Sequence, residues 1–189
     1  MTTGYQIADQ EKLHYVTLQV VEWVDVFTRK VYRDIIIESL KYCQQHKHLE
    51  IYGYVIMSNH IHLLVKSGIG NLSGALRDFK SFTSKQILKE IEEGNESRRN
   101  WMLITFKIAA AKHERNSAYQ FWTHENHAME IYSYKFFEQK LDYIHNNPVR
   151  AGIVSNPVDY VYSSAQNYAR EKTCLLNVEV IDRVWKTVK

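Results

Sequence analysis

Two short stretches of this sequence hold residue types that can do chemistry together. The first is Asn59-His60-Ile61-His62, two imidazoles two residues apart. On a strand, side chains at i and i+2 leave the same face, so both rings can converge on one divalent ion. Two ordinary half-exposed strand histidines produce the same pattern, and the pair alone does not separate these readings. The second stretch runs from Lys140 to Asn147. If it is helical, Tyr134, Phe137, Leu141 and Ile144 form an apolar stripe, while Tyr143 and Asn147 stack one turn apart on another flank with Lys140. A tyrosine off the apolar stripe, beside an amide and a lysine, has the ingredients of a nucleophile next to a metal ligand. It is equally a rim aromatic, with Asn147 a helix-end residue before Pro148.

Other polar groups carry weaker signals. His124 and His127, in Trp122-Thr-His-Glu-Asn-His127, lack the spacing of a zincin motif and have no evident third ligand, so they read as surface or DNA-facing histidines. His145 falls on the helix flank away from Tyr143 and Asn147. Arg77, Lys80 and Lys85 follow directly after the histidine strand and could track a DNA backbone, although such a stripe is usually a solvated face. Cys43 and Cys174 have no CxxC spacing, which argues against a disulfide framework or zinc knuckle and fits a reducing cytoplasm.

The elements that must position these groups can be read from periodicity. Leu13 to Val21 is rich in β-branched and aromatic residues and reads as a strand. Tyr32, Ile35, Ile36, Leu40 and Cys43 mark one face of a helix. His48 to Met57 reads as a second strand, Ser58-Asn59 as a turn, and His60 to Lys66 as a third strand with both histidines on one face. Leu72 to Glu92 is a second amphipathic helix, Gly94 to Asn100 a polar connection, and Trp101 to Lys112 a further helix. Tyr119 to Ile131 is a weak strand. Ser133 is a credible N-cap for a helix expected to stop at Asn147, before Pro148, with Gly152 turning the chain. An aromatic segment follows around Tyr160 to Tyr168, and the stretch ending Arg183 to Lys189 has no clear assignment. This order predicts an α+β, ferredoxin-like or RRM-like βαββαβ sandwich. Its antiparallel sheet carries helices on one face and leaves the other for a ligand, and a further C-terminal helix bears Tyr143.

Length and composition set the outer bounds. The chain has 189 residues, 45% hydrophobic and 24% charged with 7 Gly and 2 Pro, which excludes collagen-like, low-complexity and disordered classes. One domain over 1–189 is expected, with a core at about 13–168, a charged helical insertion at about 94–118 and an extension at about 169–189. The net charge of +3 permits a nucleic-acid partner without demanding one. The N-terminus lacks the features of a signal peptide and no stretch is long and apolar enough to span a membrane, so a soluble cytoplasmic protein is expected. Tyrosine is unusually frequent, with 13 Tyr supplying stacking faces and phenolic hydroxyls.

Met57-Ser-Asn-His-Ile-His-Leu-Leu-Val65 resembles the His-hydrophobic-His (HUH) signature of single-strand transposases. Lys140-Leu-Asp-Tyr-Ile-His-Asn-Asn-Pro-Val-Arg150 and the residues up to Val154 resemble the segment that carries their tyrosine. The second match is similar to REP-associated tyrosine transposases, a branch of the IS200-like superfamily, and the likeness runs from about Leu13 to Tyr168. The resemblance implies that His60, His62 and Asn147 bind a divalent ion, Mg²⁺ or Mn²⁺, and that Tyr143 is the nucleophile. It implies cleavage and rejoining of single-stranded or hairpin DNA through a 5′-phosphotyrosine link, by a monomer or homodimer. Arg77, Lys80, Lys85 and Lys140 are the expected DNA-contacting cations. Two alternatives remain: a nickase like those of replication initiators and relaxases, and a catalytically silent nucleic-acid-binding module. Ser58 stands where many members have Pro, and the 94–118 insertion and the tail exceed a minimal domain.

Overall fold

The structure is a computed structural model in which residues 7–112, 118–171 and 174–182 are described. Part of the expected insertion, 113–117, and the terminal stretch Arg183 to Lys189 lie outside the described residues.

Strand β1 (His14–Gln19) leads through two short 3-10 turns (Val21–Trp23 and Val26–Thr28) into α1 (Lys30–Lys47). Strands β2 (Leu49–Ile56) and β3 (His60–Ser67) follow, then α2 (Leu72–Glu93), α3 (Arg99–Ala111), β4 (Met129–Glu130), α4 (Tyr134–Arg150) and the short α5 (Ala165–Tyr168). The sheet order is β2-β3-β1-β4 with antiparallel neighbours, the ferredoxin-like arrangement expected from the order of the elements. In the β1–β3 register, Thr17 lies opposite His62 and Gln19 opposite His60. Because paired residues share a face, Tyr15, Thr17 and Gln19 stand on the histidine side of the sheet. Val16, Leu18, Ile61, Leu63 and Val65 are fully buried on the other side, under the paired helices α1 and α2.

The histidine face is not left open along its length, as the sequence suggested, because α4 packs across β2 and β3 there. Gly53 permits this approach: a Cβ at that position would lie 3.0 Å from the Leu141 side chain and 3.3 Å from that of Leu64. Helix α4 starts as expected, the Ser133 hydroxyl accepting from the Phe136 amide at 3.2 Å. Its end differs. The helix continues through Pro148 to Arg150, where the sequence predicted a stop at Asn147. Proline removes one amide and crowds the carbonyl four residues back. So close to the terminus the loss is limited, because the amides of Ala151 and Ile153 bond to Asn147 and Pro148 carbonyls and the Pro148 ring is itself buried. Gly152 then turns the chain with φ of 69°.

The weak fourth strand is weaker than predicted. Only Met129–Glu130 pairs with β1, and Trp122 adds an isolated bridge to Val20. Between them, residues 123–126 bow away from β1 while two backbone bonds hold them: the Thr123 amide donates to Gln19 and the Thr17 amide to Asn126. The aromatic segment after α4 lies along β2. There the Ile56 amide donates to Tyr162, the Ser164 amide to Tyr54, and farther along the Glu179 amide to Ile51. Among the described residues no helix is long and apolar enough to cross a membrane.

Candidate active site

His60 and His62 leave the same face at the start of β3, their ring centroids 4.7 Å apart. His62 is 5% exposed. Its Nδ1 lies 2.8 Å from the Tyr15 hydroxyl and 2.9 Å from the Thr17 hydroxyl, both reaching across from β1. Its Nε2 is buried without a hydrogen-bond partner. An orphaned ring nitrogen on a histidine held firmly at its other nitrogen is how metal-ligating imidazoles are commonly arranged. Burial, then the neighbouring His60 and Lys140, pushes the His62 pKa down to about 3, so the ring is neutral and keeps a lone pair for a cation.

His60 is fixed through a chain of two bonds. Its Nδ1 meets Asn59 Oδ1 at 2.7 Å, while Asn59 Nδ2 donates to the Trp23 carbonyl at 3.2 Å. A carbonyl only accepts, so it orients the Asn59 amide with its oxygen toward His60. That oxygen requires a hydrogen on Nδ1, which leaves Nε2 as the free acceptor. Burial also lowers the His60 pKa, again favouring the neutral ring.

Helix α4 brings Tyr143 to this pair. Its ring centroid lies 5.3 Å from that of His62 and 6.4 Å from that of Tyr15, edge to face in both cases. Leu141 and Ile144 anchor the helix in the core, which leaves Tyr143 38% exposed on the flank. Asn147 is half-buried one turn on, its amide donating weakly to the Tyr143 carbonyl at 3.4 Å. Cations stand on both sides of the tyrosine. Lys140 Nζ lies 4.5 Å from the centre of the Tyr15 ring, and the Arg150 guanidinium 5.4 Å from that of Tyr143. Burial lowers the Lys140 pKa. Among the described residues no three His, Cys, Asp or Glu side chains form a metal-binding group, so a third protein ligand here would be of another type, such as the Asn147 amide.

The remaining sequence candidates are placed elsewhere. Arg77 and Lys85 are exposed on α2, which packs on the other side of the sheet, and Arg77 bonds Asp78 at 3.2 Å. Lys80 has a task its stripe did not suggest. Its ammonium donates to the Thr123 carbonyl at 2.8 Å and to Asn126 Oδ1 at 2.7 Å, with the His124 carbonyl at 3.4 Å. It thereby ties down the segment that bows from β1, and burial pushes its pKa down to about 8. His145 is buried, its Nε2 2.9 Å from the Ser164 hydroxyl. Sequence reading missed Tyr15, Thr17 and Arg150, and gave Asn59 a place in the turn but not its bond to His60. The first two were detectable from β1 alternation once the β1–β3 register was known, which is a long-range fact.

Comparison with known proteins bears on the family and the fold. The family described as transposase IS200 like matches residues 10–147, a span that includes both the histidine strand and the tyrosine helix as far as Asn147. No curated protein matches. Among solved structures, one described as a REP-associated tyrosine transposase bound to a REP hairpin aligns over 97% of this chain and 99% of that one. Its TM-score is 0.60 at 15% identity, a likeness of fold. With a family match across most of its length and a matching fold, this chain belongs to the IS200-like transposases.

Proposed function

We propose that this transposase cleaves and rejoins single-stranded or hairpin DNA, using Tyr143 as nucleophile and His60, His62 and Asn147 as ligands for Mg²⁺ or Mn²⁺. The observation that carries the reading is the Tyr143 ring packed 5.3 Å from His62, whose buried Nε2 has no partner. Two neutral imidazoles and an amide oxygen leave positions open for phosphate and suit these ions better than a closed structural zinc site. A divalent ion held there supplies Lewis-acid polarisation of the non-bridging phosphate oxygens.

The chain's own residues do the rest. The Tyr143 oxygen gives up its proton and attacks phosphorus, the bond to the 3′ oxygen breaks and that oxygen leaves as a protonated 3′-hydroxyl on the upstream strand, and the downstream strand stays on the tyrosine through its 5′-phosphate. Attack by that hydroxyl, or by one from another strand, reverses or redirects the link. Tyr15 and Thr17 keep the His62 ring from rotating, and Asn59 does the same for His60. Lys140 and Arg150 place positive charge where a phosphate meets Tyr143. Arg77 and Lys85, on the far side of the sheet, serve as outlying contacts to the DNA backbone.

The test is covalent trapping with end-labelled hairpin oligonucleotides carrying randomised single-stranded flanks. The parent is expected to form a denaturant-resistant protein–DNA adduct that chelation suppresses and Mn²⁺ or Mg²⁺ restores. Tyr143→Phe removes one hydroxyl and should keep DNA binding while the adduct disappears. An adduct undiminished in Tyr143→Phe overturns the assignment.

A further inference from the structure

The loop after β1 turns one tryptophan outward at considerable backbone expense. Glu22 and Trp23 are consecutive residues with φ of 52° and 56°. Neither is Gly or Asn, the types that tolerate the left-handed region. Their neighbours Val21, Val24 and Val26 are buried, whereas Trp23 is 61% exposed. A lone exposed hydrophobic residue is ordinary. Two strained residues that present the largest apolar side chain to solvent are not, because such strain persists only where the surroundings hold it and clusters at functional sites.

The surroundings do hold it. The Trp23 amide donates to Val20, its carbonyl accepts from Asn59, and the Val24 amide donates to Val21. Glu22 pairs with Lys112 at 2.6 Å, so the end of α3 supports the loop from behind, and the Phe27 amide ties the following turn to Ser58. The indole therefore stands on a rigid mount, its centroid 6.3 Å from the His60 ring at an interplanar angle of 79°. At 61% exposure the indole offers ring surface to solvent beside the first imidazole of the site.

We propose that Trp23 is a nucleobase-stacking platform that holds the base of a nucleotide flanking the phosphate at His60 and His62. This rests on the DNA reading of the site and adds a binding residue to it. An aromatic face beside a phosphate site matches how single strands are gripped, with the backbone held by charge and an unpaired base laid on a ring. Every base has such a face, so the contact fixes the strand's position without selecting its sequence.

The experiment measures binding of a labelled hairpin with single-stranded flanks, together with an abasic scan of those flanks, for the parent and for Trp23→Ala, Trp23→Phe and Trp23→Gly. Trp23→Ala is expected to weaken binding by about 5- to 150-fold, the range of one lost base–aromatic stack, and Trp23→Phe to recover most of it. One flank position should cost the parent a similar factor when made abasic and cost Trp23→Ala nothing further. Trp23→Gly should melt at a higher temperature than the parent while binding DNA as poorly as Trp23→Ala, because glycine relieves the left-handed strain. A packing role moves melting and binding down together. Unchanged affinity in Trp23→Ala, or an abasic penalty that persists in it, overturns the platform. Adduct formation is scored separately. A parent that shows the Trp23-dependent abasic effect without any adduct refutes the tyrosine chemistry and leaves the platform standing.

Discussion

His62 gives the protein an acid sensitivity whose size follows from its burial. In the unfolded chain its imidazole titrates near 6.5, whereas in the fold burial, His60 and Lys140 hold it at about 3. Between these values the unfolded state binds a proton that the folded state refuses, so stability falls as pH drops below about 6.5. Above that pH both states are neutral and His62 contributes no slope. At pH 5 the unfolded ring is almost fully charged and the folded ring almost fully neutral, a differential of about 2 kcal/mol relative to pH 8. For a chain of this length that is a fall in Tm of roughly 4–8 °C. His60, shifted the same way, adds to it. Thermal melts of the metal-free protein from pH 8 to pH 5 measure the slope, and His62→Asn isolates the contribution, since its amide can still meet Tyr15 and Thr17. The variant should lose about 2 kcal/mol of the pH 5 penalty. An equal drop in parent and variant would show that the ring is solvated enough to charge in the fold, and would remove the argument that it is a neutral ligand.

Other substitutions test the supporting structure. Lys80→Met leaves the Thr123 carbonyl and Asn126 Oδ1 without their donor, and should cost about 1–3 kcal/mol in denaturant melts, with faster amide exchange at 123–126. Ser133→Ala removes the cap of α4 and should cost about 1 kcal/mol by the same melts, with the fold retained. Neutralising Arg77 and Lys85 to Gln should weaken single-strand binding and flatten its dependence on log salt, since fewer counterions are released; an unchanged slope makes them solvated surface.

Much of the fold was legible because local signals agreed with it. The alternation around His60 and His62 gave their shared face, Ser133 opens its helix as a side-chain cap, and the tyrosine helix shows the apolar stripe that leaves Tyr143 on its flank. What escaped depends on partners far along the chain. Tyr15 and Thr17 reach His62 across 47 and 45 residues, and Lys80 reaches Thr123 across 43. No local pattern announces such pairs. The left-handed turn at Glu22-Trp23 was illegible for the opposite reason, since these residue types argue against that conformation and only the bonds to Asn59, Val20 and Lys112 impose it. Pro148 misled because its penalty is local whereas the packing of α4 is not.

The segment after α4 also guards the molecule. Residues 51–56, Ile-Tyr-Gly-Tyr-Val-Ile, form an uncharged, β-prone window on an outer strand, the kind that seeds intermolecular pairing when its edge is free. Tyr162 and Ser164 occupy the backbone groups of Tyr54 and Ile56, and the Glu179 amide occupies the Ile51 carbonyl. Shortening the chain to end at Asn147, where the family match ends, would keep His60, His62, Tyr143 and Asn147 and strip away this strap. Such a truncated protein should form β-rich aggregates at concentrations where the full chain stays dispersed, so the residues that follow the tyrosine helix are what keep its sheet from becoming a template.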